Sequence, residues 1–142
     1  MATLTTTITE SLNLNGALRG SANTVTTEGI NDAFERIVTI ATFAAAPYTS
    51  AGALDLDQVR YIRVTNLDLE AQVELAVVTS DSNYQVRLTA GASHILARAN
   101  ESALAEGDTT PSFGTMQDLA SIQIRPIGTT LNPRIEIFVA VA

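Results

Sequence analysis

The sequence predicts an all-β protein. It reads as one antiparallel two-sheet sandwich domain over residues 1–142, jelly-roll or Ig-like, with about seven or eight strands. Three observations predict this. Short stretches of alternating apolar and polar residues recur at spacings of roughly 8–15 residues, which is the signature of half-buried strands. No long stretch keeps a helical period. Turn-forming pairs and clusters, such as Asn15-Gly16 and Ser80–Asn83, separate the alternating stretches.

The elements follow in order. Leu4, Ile8, Leu12 and Leu14 fall on even positions among β-branched Thr residues, which favours a strand. Asn15-Gly16 then marks a tight turn, and residues 1–20 read as an N-terminal arm or strand. Residues 17–29, small, polar and glycine-containing, read as a loop or a poorly buried strand. Phe34 to Phe43 is dense in β-branched residues and reads as a buried strand. Residues 44–58 form the longest irregular stretch of the first half, and Pro47 and Gly52 argue against a helix there.

Val59 to Gly91 reads as an antiparallel meander with one buried and one wet face. Ile62 and Val64 oppose Arg63; Val73, Leu75 and Val77 oppose Gln72 and Glu74; Tyr84, Val86 and Leu88 oppose Gln85 and Arg87. A further strand begins at His94. From Ala97 to Thr115 the pattern breaks, and Asn100 to Gly107 reads either as one or two helical turns or as an exposed loop. Two strands close the chain. One carries Ile122 and Ile124 on a face and ends at Pro126; the other carries Ile135, Ile137, Val139 and Val141. No repeat of fixed length is visible, which argues against propellers and solenoids.

Composition narrows the functional classes. Hydrophobic residues make up 46% of the chain, enough for a real core. They are chiefly Ala, Val, Ile and Leu, and Trp is absent, which suits packed sheets better than an aromatic-lined ligand groove. The formal charge is −7, and all eight basic residues are Arg. An acidic chain with scattered Arg is a poor nucleic-acid binder. Arg is enriched at protein interfaces, where Lys is depleted, although codon bias gives the same composition. Arg19, Arg36, Arg60, Arg63 and Arg87 are therefore candidate interface residues.

The absence of Cys excludes disulfides and thiolate metal sites. The N-terminus lacks the basic and apolar regions of a signal peptide, and no apolar run approaches the ~18 residues of a membrane span. The expectation is a soluble protein, made and used without export and without membrane contact.

The search for chemistry returns little. His94 is the single histidine, no nucleophile-elbow signature accompanies it, and it reads as a surface or interface residue. Asp55 with Asp57, and Asp68 with Glu70, place carboxylate pairs in extended or turning segments. Such pairs can hold Ca²⁺ or serve a glycosidase, but the EF-hand spacing is missing and solvated turns are the default. The glycines fall singly, in no phosphate-cradling arrangement. The expectation is a non-enzyme without catalytic residues, cofactor or metal.

Three stretches carry a family resemblance. They are Ile8-Thr9-Glu10 followed by Leu14-Asn15-Gly16; Arg36 to Ile40, which reads RIVTI; and Tyr61 to Asp68, which reads YIRVTNLD and leads to a hairpin ending Leu88 to Ser93. In these the chain resembles the small virion structural proteins of tailed bacteriophages, particularly those of cyanobacterial hosts. The resemblance implies a capsid decoration or cement protein, assembled into the virion in the host cytoplasm. Its implied partners are its own copies, commonly in a trimer, and the major capsid protein or another virion protein. The alternatives are a tail, baseplate or fibre-associated structural protein and a receptor- or carbohydrate-binding module.

Overall fold

A computed structural model of the chain describes residues 1–41, 45–49, 58–96, 119–128 and 132–142. The described residues contain twelve β-strands and no α-helix. In chain order these are β1 (Ala2–Thr9), β2 (Leu12–Leu14), β3 (Ala17–Arg19), β4 (Ala22–Ile30), β5 (Asp32–Thr39), β6 (Ala45–Thr49), β7 (Val59–Asn66), β8 (Val73–Thr79), β9 (Asn83–Leu88), β10 (Ser93–Leu96), β11 (Leu119–Pro126) and β12 (Arg134–Val141).

The last eight strands make the sandwich. One sheet runs β10-β7-β12-β5 and the other β6-β11-β8-β9, with every neighbour antiparallel. The pairing is nested. β8 pairs with β9, β7 with β10, β6 with β11 and β5 with β12, as if one long hairpin closed at the β8–β9 turn had been rolled across two sheets. That order is the jelly roll, and it replaces the Ig-like alternative, whose sheets group their strands differently.

The meander expected over Val59 to Gly91 is corrected. β7 and β8 lie in different sheets, and within that stretch only β8 and β9 form a hairpin. Period-2 alternation is the same whether a strand pairs with its successor or crosses to the facing sheet. The irregular 44–58 stretch is corrected in part, because it contains β6. Pro47 fits there because β6 is an edge strand and its register with β11 shifts between Ile122 and Ile124. β5 is also less buried than expected. It is the opposite edge of the first sheet, with Phe34 and Val38 half-buried and its other positions exposed. Asn100 to Gly107 and Asp55 with Asp57 lie outside the described residues.

The core lies between the sheets. Ile62 and Val64 of β7 and Ile135, Ile137 and Val139 of β12 meet Val73, Leu75 and Val77 of β8 and Ile122 and Ile124 of β11, all essentially inaccessible to solvent. Branched aliphatics dominate because they fill a pleated two-sided interior and lose little freedom in strands. The face assignments expected for β8, β11 and β12 are the ones observed.

One buried polar residue organises an end of the sandwich. Asn66 shares the inward face with Ile62 and Val64 and is fully buried. Its side-chain amide donates to the carbonyls of Ala71 at 2.8 Å, Thr89 at 3.2 Å and Leu88 at 3.3 Å, and its Oδ1 accepts from the Asp68 N–H at 3.1 Å. Its backbone also bonds to Gly91 and Ala92. The β7–β8 and β9–β10 connections, which belong to no common strand pair, are thereby held together.

Candidate functional site

The N-terminal strands form a separate feature, a two-stranded ribbon. β1 pairs with β4 and β2 with β3, and a Glu10 N–H···O Ser21 bond of 2.8 Å continues the ladder between them. Leu4↔Thr27, Ile8↔Asn23, Leu12↔Arg19 and Leu14↔Ala17 belong to one unbroken register. The turn is Asn15-Gly16, with φ of 52° and 81°, the two left-handed residues of a type I′ hairpin. Gly20 is required on steric grounds: its φ is +140°, and a Cβ there would stand 2.0 Å from the Glu10 carbonyl oxygen. From Leu4 to the turn the ribbon runs ~35 Å at the usual rise per residue.

Register sorts the ribbon into two faces. Leu4, Thr6, Ile8, Glu10, Leu12 and Leu14 share one with Ala17, Arg19, Ser21, Asn23, Val25 and Thr27; Thr3, Thr5, Thr7 and Thr9 lie on the other. At the base, the mixed face lies on the outer surface of the first sheet. Leu4 packs with Ile30, Tyr61, Ile95, Phe138 and Ala140 in a second apolar cluster. Tyr61 and Phe138 meet edge to face, with ring centroids 6.0 Å apart. Beyond the base no described residue covers the ribbon. Residues 7–26 are exposed throughout, and Ile8, Leu12, Leu14 and Val25 keep 48, 55, 50 and 47% of their surface in solvent.

Between the ribbon and the sheet is an open cleft of about 370 Å³, lined on one side by Leu4 to Ile8 and on the other by Tyr61, Arg63, Ile95 and Phe138. Arg63 pairs with Glu136 across the β7–β12 ladder, and its guanidinium carbon lies 6.0 Å from the centre of the Phe138 ring. Its Nε is buried without a hydrogen-bond partner. The ion pair and the ring keep the guanidinium at the outer surface of the sheet.

The five candidate arginines do not converge. Arg19 is near the ribbon tip, Arg36 is exposed on β5, Arg60 is half-buried at the register shift where β7 leaves β12, and Arg63 faces the cleft. Arg87 lies on the second sheet opposite Glu74, which also pairs with Arg125.

His94 is expected at the surface or at an interface. It faces inward beside Leu96 and is half-buried. Its Nε2 is 2.8 Å from the Tyr84 hydroxyl, and the two rings meet edge to face at 5.8 Å. The contact joins the two sheets at their β9 and β10 edges. Burial lowers the imidazole below its ordinary pKa and raises the Tyr84 phenol. Asp68 is occupied locally. Its Oδ1 accepts the N–H groups of Ala71 at 2.8 Å and Glu70 at 2.9 Å, and these bonds hold its carboxyl below the usual range. Among the described residues no group of three or more His, Asp and Glu side chains is placed to hold a metal ion, and no helix is long and apolar enough to cross a membrane.

No family model, curated protein or solved structure matches the chain.

Sequence reasoning missed Asn66 and the full length of the ribbon. Asn66 carried a signal, because it falls in step with Ile62 and Val64 and so belongs to the inward face. The return strand of the ribbon, rich in Thr and small residues, carried only its β-branched content.

Proposed function

We propose that this chain is a non-enzymatic virion structural protein of a tailed bacteriophage, a decoration protein that oligomerises, coats the capsid shell and stabilises it. The jelly roll hosts capsid, lectin and cupin domains alike, so the fold class does not separate these readings. The observation that carries the proposal is the ribbon. A rigid sandwich extends a ~35 Å hairpin whose outer half exposes Ile8, Leu12, Leu14 and Val25. Apolar rows of this kind are surfaces for other protein. Supporting it, the most polar feature of the interior, Asn66, holds loops together, and the His94–Tyr84 pair joins two sheets; both have structural work to do.

The test is co-sedimentation of the purified chain with empty, expanded capsids of the phage that encodes it, followed by heating of the complex. Saturable binding and a raised temperature of shell disruption are expected. Sedimentation of the shells alone at saturating protein overturns the proposal. A tail or fibre position would then be tested by the same binding to isolated tails.

A further inference from the structure

We infer that the overhanging half of the ribbon docks on the uncovered β5 margin of the first sheet in a second copy of this chain. The inference deepens the oligomeric part of the proposed function by naming the contacting surfaces.

Four observations lead there. First, a two-stranded ribbon is marginal in water unless something backs it, and among the described residues none backs residues 7–26. Second, the row Ile8, Leu12, Leu14 and Val25 continues from Leu4, which already rests on the first sheet, so the ribbon face is shaped for that kind of surface. Third, the ribbon base covers Tyr61, Ile95, Phe138 and Ala140 on β7, β10 and β12 and leaves the neighbouring strand bare. On β5 the outward residues are Ala33, Glu35 and Ile37, and Ile37 is 58% exposed. Among the described residues β5 is also an open sheet edge of eight residues, paired with β12, and long open edges attract further chain. Fourth, the charges match. Arg19 lies beside Leu12 in the ribbon row, and Glu35 lies two residues from Ile37 on the same outward face.

The two surfaces are different, so each copy gives a ribbon and receives one. Such head-to-tail contacts close into a ring when the rotation allows. The overhang from Ile8 to Val25 turns nine residues to that face, fewer than the roughly 20–30 that each side of a standard interface supplies, so the contact is expected to dissociate on dilution.

The experiment is light scattering behind size exclusion on the full chain, with a dilution series to find the dissociation midpoint. The wild type is expected at a whole-number multiple of 15.0 kDa. The double variant Leu12→Glu/Leu14→Glu is expected at a single chain mass, with the sandwich unfolding at the same urea midpoint as wild type diluted below its own dissociation midpoint, because neither residue touches the core. Arg19→Glu and Glu35→Arg are each expected to raise the dissociation midpoint about tenfold, and the two together to restore most of it. A monomeric wild type, or an oligomer indifferent to the leucine changes, overturns the inference. Single charge reversals that are not rescued by the pair overturn the assignment of β5 as the receiving strand.

Capsid co-sedimentation separates this result from the broader proposal. A monomer that binds shells ends the second-copy inference and leaves the virion reading standing. An oligomer that ignores shells does the reverse.

Discussion

Replacing Asn66 with Ala removes the side chain that ties two connections of the sandwich together. The amide has two protons and serves the carbonyls of Ala71, Leu88 and Thr89, while Oδ1 serves the Asp68 N–H. Removing it strands up to three polar groups at a fully buried site, because the Thr89 carbonyl still accepts the Ala92 N–H at 3.0 Å. A buried group left unsatisfied costs ~1–3 kcal/mol, and the longer, shared bonds to Leu88 and Thr89 lie at the low end. Some of these groups regain water at the loop surface, so the expected loss is about 2–4 kcal/mol. That is a large fraction of the ~5–15 kcal/mol available to a domain. At roughly 2–4 °C per kcal/mol for a chain near this size, the melting temperature should fall by about 5–15 °C. The assay is urea unfolding followed by far-UV circular dichroism, with calorimetry in parallel. Asn66→Asp should be worse than Asn66→Ala, because a carboxylate presents oxygens to carbonyls that need a donor. A change below ~0.5 kcal/mol in the alanine variant would refute the role given to Asn66.

Further predictions concern pH, the ribbon and the core. His94 is held below its ordinary pKa by burial, so the unfolded chain takes up its proton first. Stability from this group is therefore intact above about pH 6.5 and falls as pH drops through the lower folded value. The urea midpoint should decline from pH 8 to pH 5, less so in His94→Gln; identical pH profiles would count against the burial of His94. The Asp68 carboxyl is depressed by the N–H groups of Ala71 and Glu70, so its contribution is present above about pH 4 and disappears as pH falls further. Asp68→Asn should flatten that acid limb. Gly20→Val should disrupt the ribbon, because its Cβ collides with the Glu10 carbonyl, yet leave the melting temperature within ~1 °C of wild type when both are diluted to single chains, since residues 7–26 lie outside the core. A large loss of stability would show that the ribbon and sandwich fold as one unit. Ile137→Ala, at a fully buried centre of β12, should cost about 2–5 kcal/mol by equilibrium unfolding.

Much of the architecture is written locally. The face of β12 is read directly from Ile135, Ile137, Val139 and Val141, and the ribbon turn from Asn15-Gly16, whose residues tolerate the left-handed backbone the hairpin requires. What is not written locally is partnership. β7 and β8 follow one another with the same alternation a hairpin would show, and their separation into facing sheets depends on β12 and β11, more than forty residues away along the chain. β6 is hidden by Pro47, which only an edge position can hold. The ribbon is half hidden because Thr suits exposed strands and loops alike. The candidate site divides in the same way. Arg63 is fixed by Glu136 and Phe138, both distant in sequence, and the five arginines selected by residue type spread over the ribbon and both sheets.

The proposed role as a repeated building block of a shell is tested by electron cryo-microscopy of empty capsids imaged with and without saturating protein. Added density is expected at symmetry-related positions on the shell exterior, each large enough for a jelly roll and its projecting ribbon. Maps that are identical with and without the protein would contradict it.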